Sequence, residues 1–156
     1  MISVLFVCLG NICRSPMAEA VFRHQVREAG LQDKIHIDSA GTSNWHIGEP
    51  PHQGTRQLLD DRHIDYRSIT ARQVRSNDLS DFDYVIAMDE DNLADLKRMA
   101  MGDQEHKLYL LLDFLAHREN KNVPDPYFTG DFDEVYDLIS TSCSRLLSFI
   151  RERENI

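Results

Sequence analysis

The sequence predicts an α/β fold, a three-layer sandwich in which helices cover both faces of a parallel sheet. Three observations carry that prediction. Ile2 to Val7 is a nearly unbroken apolar run rich in β-branched and aromatic residues, the pattern of a strand buried on both faces. A short loop and an amphipathic helical pattern follow it directly. The same succession of strand and helix then returns along the chain, which is the signature of a doubly covered sheet.

The first strand, Ile2 to Val7, belongs at the centre of the sheet. Ser15 and Pro16 supply an N-cap and a first-turn proline for a helix carrying Ala18, Phe22, Val26 and Ala29, and Gly30 stops it. Ile35 to Ser39 reads as the second strand, Gln53 to Arg62 as a helix, and Asp83 to Met88 as the third strand. Leu93, Leu96 and Ala100 mark another helix, and Lys107 to Leu112 is a candidate fourth strand. The last helix is long and amphipathic, with Val135, Ile139, Cys143, Leu146 and Ile150 on its apolar face and Asp131 and Glu134 in capping-box positions. Gly41 to His52 and Asn120 to Gly130 read as irregular stretches, where walls of a site are usually built.

A chain of 156 residues, 42% of them hydrophobic, fits a single domain spanning 1–156. The formal charge of -9, from 17 basic and 26 acidic residues, argues against nucleic acid or an anionic membrane as partner. Any anion must therefore meet a local pocket. The opening run is short, lacks a basic segment before it and places bulky Val7 before Cys8, unlike a secretory or lipoprotein signal. No apolar stretch approaches the roughly 18 to 20 residues that cross a bilayer. The odd count of three cysteines reads as reduced thiols, and a soluble, cytoplasmic protein is expected.

Cys8-Leu9-Gly10-Asn11-Ile12-Cys13-Arg14-Ser15 lies where the first strand feeds its helix, the place at which open α/β sheets bind ligands. Spacing of a cysteine and an arginine alone is a weak signal; its position between strand and helix makes it a strong one. Such a loop turns backbone N–H groups toward one centre and forms a nest for the outer oxygens of a phosphate, with Gly10 relaxing the turn. Arg14 can bond two of those oxygens at once and stays charged, where a lysine would act as a point charge. The same donors stabilise a thiolate at Cys8, which then attacks phosphorus in line. Ser15 can donate its hydroxyl to the sulfur when that sulfur leaves. Without Arg14 and the helix, Cys8 would read as a small buried thiol. No Gly-Lys-Ser/Thr ending and no G-x-G-x-x-G follow the first strand, and Cys8 and Cys13 lack zinc-ligand spacing, so neither cofactor nor metal is expected.

A tyrosyl leaving group has a pKa of about 10, so its departure at neutral pH needs a proton donor near the ester oxygen. Asp125, in Val123-Pro124-Asp125-Pro126-Tyr127-Phe128, lies on a segment stiffened by two prolines and is the candidate general acid, later activating water as a base. Most Asp-Pro pairs are only turns, and it is the first loop that raises this one. Tyr127, Phe128 and Trp45 are candidates to line a deep, flat slot for an aryl phosphate, although each also fits a partly buried role.

With these residues in place, the chain resembles the low-molecular-weight protein tyrosine phosphatases almost from end to end. The motifs that carry the resemblance are Val7-Cys8-Leu9-Gly10-Asn11-Ile12-Cys13-Arg14-Ser15-Pro16, Asp38-Ser39-Ala40-Gly41-Thr42, Met88-Asp89 and Asp125-Pro126-Tyr127. It implies a four-stranded parallel sheet of flavodoxin-like topology, order 2-1-3-4, no metal, and the hydrolysis of phosphotyrosine through a phosphocysteine. It further implies that Asn11 is a left-handed pin held by Ser15 and Ser39, that Asp89 also supports the loop, and that Leu9 and Ile12 shape the pocket mouth. Cys13 resembles the family's partner cysteine, able to form a disulfide with oxidised Cys8. Two departures stand out. Many members place a histidine near Ala71-Arg72 in the pin, whereas this chain has Ser68 and Ile69 there, and His63 is not expected to take the role. Phe128 replaces a tyrosine of vertebrate members, and His46 occupies a variable position on the slot's rim.

The implied partners are a phosphotyrosine-bearing protein as substrate and inorganic phosphate as product and inhibitor, with no nucleic acid and no membrane. A monomer or weak dimer is expected. Two rivals use the same loop. Arsenate reductases of this fold relay a disulfide through further cysteines, but Cys143 sits on the apolar face of the last helix and reads as core. A pure phosphate binder would have no use for Asp125.

Overall fold

The computed structural model of the chain describes residues 1–116 and 118–156. At its centre lies strand β1 (Ile2–Cys8), with Val4, Leu5, Phe6 and Val7 fully buried. Its neighbours are β2 (Ile35–Gly41) on one edge and β3 (Tyr84–Ala87) on the other, and β4 (Leu108–Leu110) pairs with β3. Every pairing is parallel and the order is β2-β1-β3-β4, as the family resemblance implied. Among the described residues the helices are α1 (Arg14–Glu28), α2 (Gln53–Asp61), α3 (Asp78–Asp81), α4 (Glu90–Met99), α5 (Pro126–Thr129) and α6 (Phe132–Glu154).

Successive side chains of a strand point to opposite faces, so an unbroken apolar run must be covered twice. Val4, Phe6 and Cys8 join one cluster with Met17 and Phe22 of α1, Leu59 of α2, and Ile139 and Leu146 of α6. Leu5 and Val7 face the other way, into a cluster with Leu79 of α3 and Leu96 of α4. These are the three layers, and the carboxyl ends of β1, β2 and β3 emerge together at one rim.

Several local readings shift. Ser15 is not the N-cap of α1: Cys13 holds that position without a side-chain cap bond, and the Ser15 hydroxyl turns instead to Cys8 Sγ and Asn11. The fourth strand stops at Leu110, because its partner β3 ends at Ala87, and Leu111–Phe114 coil into a 3-10 turn. Asp131 caps α6 by accepting from Glu134 N at 3.0 Å, while its own N–H goes to Thr129 Oγ1, so only half of a capping box forms. The irregular stretch 120–130 contains α5, a single turn opened by Asp125 and closed by left-handed Gly130 at φ 75°.

Candidate active site

β1 delivers Cys8 to the sheet rim, and the chain turns through Leu9–Cys13 into α1, whose first residue is Arg14. The register pairs Cys8 with Gly41, and β2 continues beneath the loop: Thr42 N donates to Cys8 O at 2.9 Å and Ser43 N to Leu9 O at 2.9 Å. Gly41 is required there by proximity, since a Cβ on it would lie 2.8 Å from Leu9 O and 3.1 Å from Asn11 N.

Asn11 turns the loop with φ 57°, a left-handed conformation tolerated by few residues besides glycine. Its amide makes three bonds: Nδ2 donates to Ser15 Oγ at 2.8 Å and to Ser39 Oγ at 3.0 Å, and Oδ1 accepts from Arg72 N at 3.0 Å. That third bond comes from the main chain beside Ala71, where a histidine was missing from the sequence. The Arg72 side chain is itself fixed, by Asp38 at 3.1 Å and Asp78 at 3.0 Å.

Around Cys8 Sγ stand Ser15 Oγ at 2.9 Å and the Asn11 N–H at 3.3 Å. Arg14 is 3% exposed; its Nη1 donates to Asp89 Oδ2 at 2.6 Å and to Val123 O at 3.0 Å, and its Nη2 reaches Asp125 Oδ2 at 3.5 Å. Burial opposes the guanidinium's charge, but the Cys8 sulfur, Asp89 and Asp125 outweigh it and hold the pKa above its ordinary value. Arg14 Nε is buried with no hydrogen-bond partner among the described residues. Asp89 serves twice, since its Oδ1 also caps α4 by accepting from Asn92 N at 2.7 Å.

Asp125 is held the same way: Oδ1 accepts from Tyr127 N at 3.1 Å as the cap of α5, leaving Oδ2 toward the pocket. One cavity of about 120 Å³ is lined by Cys8, Leu9, Gly10, Ile12, Cys13, Arg14, Trp45, His46, Asp125, Tyr127 and Phe128. Asn11, Ser15, Ser39 and Asp89 do not line it but hold its floor, through the bonds given above. Trp45 and Phe128 are 68% and 76% exposed, so they form a rim and not a buried wall. Tyr127 is braced by the His52 ring at 5.9 Å, which in turn stacks on Phe132 at 5.4 Å.

A family model described as low molecular weight phosphotyrosine protein phosphatase matches residues 3–155. The chain belongs to this family. Among its relatives, this phosphatase is 51% identical over 156 residues, all of both chains, to the low molecular weight protein-tyrosine-phosphatase YfkJ of Bacillus subtilis. The crystal structure of YfkJ matches with a TM-score of 0.95 at 52% identity, covering 98% of this chain and 96% of that one. The crystal structure of DARP, a Drosophila arginine phosphatase, matches with a TM-score of 0.88 at 38% identity over 95% and 97% of the two chains.

The candidate site also contains residues that the sequence did not single out. Arg72, His52 and the Val123 carbonyl come from three separate segments, and Glu19 lies beneath the loop, its Oε1 accepting from Ser39 Oγ at 2.6 Å. Among the described residues no group of three or more His, Cys, Asp or Glu could hold a metal ion, and no helix is long and apolar enough to cross a membrane.

Proposed function

We propose that this member of the family, a hydrolase family by its relatives' names, removes phosphate from tyrosine in proteins by way of a phosphocysteine at Cys8. The observation that carries the reading is that the Cys8 sulfur, the Arg14 guanidinium and the Asp125 carboxyl face one small cavity. In the first step the Cys8 thiolate forms an S–P bond as the aryl O–P bond breaks, and the Asp125 carboxyl gives its proton to the departing phenol oxygen. In the second, water forms the new O–P bond, its proton passes to Asp125, and the S–P bond breaks with the electron pair returning to Cys8. Ser15 donates to the leaving sulfur. Arg14 and the loop's N–H groups hold the phosphoryl oxygens throughout, and strengthen as charge spreads in the transition state. Inorganic phosphate, the product, competes for the same loop. Apolar Ile12, Tyr127 and Phe128 around the mouth favour a flat aryl group over a peptide serine.

Turnover of a phosphotyrosyl peptide and of p-nitrophenyl phosphate, without added metal, tests the proposal. Cys8→Ser is expected to abolish both. Asp125→Ala is expected to lower kcat by about 10²–10⁴-fold on the phosphotyrosyl peptide, and less on the better leaving group. Retained turnover in Cys8→Ser overturns the mechanism, and turnover of phosphoarginyl peptides alone overturns the substrate assignment.

A further inference from the structure

Tyr127 lines the cavity from α5, a helix of four residues, and is 54% exposed. A single helical turn holds itself weakly, so what fixes the Tyr127 ring must come from other elements. The segment between β2 and α2 sets imidazoles against it: His52 edge-on, with centroids 5.9 Å apart at 73°, and His46 tilted, at 6.4 Å and 52°. Edge-to-face contact at such a separation is favourable and fixes a ring's plane as well as its place. Phe128 also lies edge-on at 5.3 Å, but it belongs to the same turn and cannot anchor it.

Of the two histidines, His52 is the anchored one. Its backbone N–H donates to Ile12 O at 2.7 Å, and Ile12 lines the cavity. Its carbonyl accepts from Arg56 N at 2.9 Å and its Nδ1 accepts from Gly54 N at 3.0 Å, so residue and ring are both tied to the first turn of α2. Behind the ring, Phe132 of α6 stacks at 5.4 Å and 20°. Phe132 in turn packs so closely on α2 that a Cβ at Gly54 would lie 2.4 Å from its ring. The His46 ring, by contrast, bonds an exposed carboxylate, Glu49 Oε2 at 2.6 Å.

We propose that His52, which does not line the cavity, is a positioning residue that sets selectivity for aryl phosphates by holding the Tyr127 ring at a fixed place beside the phosphate loop. The inference rests on the reading of this cavity as a phosphotyrosine site and deepens it. In that reading the phosphoryl group meets the loop and the aryl group meets Tyr127. Loosening Tyr127 therefore weakens the grip on an aryl ester and leaves inorganic phosphate as it was. The grip is the same before and during the reaction, so its loss appears in KM and not in kcat.

Steady-state kinetics of the full chain on a phosphotyrosyl peptide, with inorganic phosphate as competing inhibitor, tests it. His52→Asn removes the ring but keeps an acceptor for Gly54 N. It is expected to raise KM about two- to tenfold, the worth of one aromatic pair, with kcat and the phosphate Ki within about twofold of the parent's. His52→Phe keeps a ring between Phe132 and Tyr127 but removes the cap, and is expected to lower the urea midpoint while returning KM to within about twofold of the parent's. In a Tyr127→Ala background, His52→Asn changes KM by less than about twofold, because no wall is left to hold. An unchanged KM in folded His52→Asn, an equal rise with and without Tyr127, or a matching rise in the phosphate Ki overturns the proposal. So does a KM that follows the cap, rising in His52→Phe and not in His52→Asn. If His52→Asn does not fold, Phe132→Leu removes the ring that backs His52 and must raise KM in the same Tyr127-dependent way. All these variants keep Cys8, so their outcome stands apart from turnover in Cys8→Ser, which would sink the parent reading instead.

Discussion

Cys13 lies in the same loop as Cys8, yet burial first, then the charges of Asp125 and Cys8, push its thiol up to about 12 against the pull of Arg14 and a Thr55 hydrogen bond. A thiolate, not a thiol, is the nucleophile, so this shift disfavours Cys13 as a nucleophile at neutral pH. Burial alone raises Cys143, on the inner face of α6. Cys8 differs in what surrounds it: a main-chain N–H at 3.3 Å, the Ser15 hydroxyl at 2.9 Å and the Arg14 guanidinium. Iodoacetamide at neutral pH is therefore expected to label one cysteine, Cys8, as mapped by mass spectrometry of the peptides, and inorganic phosphate is expected to protect it. Labelling of Cys13 at a comparable rate would contradict this account of the loop.

At the scale of elements, the site depends on how closely β2 runs under the phosphate loop. The pairing of Cys8 with Gly41 brings two backbones together with no room for a side chain, and the atoms a Cβ would meet, Leu9 O, Gly10 C and Asn11 N, are main-chain atoms that cannot swing aside. Gly41→Ala is expected to lower stability by about 1–3 kcal/mol, seen as an earlier urea midpoint, and to weaken inhibition by phosphate several-fold because the loop must move. An unchanged phosphate affinity in the folded variant would show that the loop is set by Asn11 alone. The helices add orientation: α4 and α5 each begin at an acidic residue whose first carboxylate oxygen caps the helix and whose second meets Arg14. Capping therefore fixes the carboxylates as well as the helices.

Over the whole molecule, two clusters on opposite faces clamp the sheet, and the loops at its carboxyl rim hold the candidate site. That plan was legible because β1 is apolar on both faces and the helices show a clear apolar period. The loop from Cys8 to Arg14 was legible because strand, turn and helix follow without a break. Two turns, α3 and α5, escaped, since four residues hold barely one helical period. Glu19 escaped for a different reason: on its own helix it reads as one more charged position, and its burial arises only where α1 crosses β2 and meets Ser39. Likewise nothing local marks the Arg72 N–H as the partner of Asn11, a contact between residues 61 positions apart.

The central claim is a phosphoryl group on the sulfur of Cys8, and acid quenching during turnover measures it directly. With Asp125→Ala, which slows water attack, p-nitrophenyl phosphate is expected to leave a phosphoryl group on the Cys8 peptide in the mass spectrum. A phosphoryl group on any other side chain, or an unlabelled Cys8 peptide while the double variant Cys8→Ser with Asp125→Ala turns over at the same rate, would contradict it.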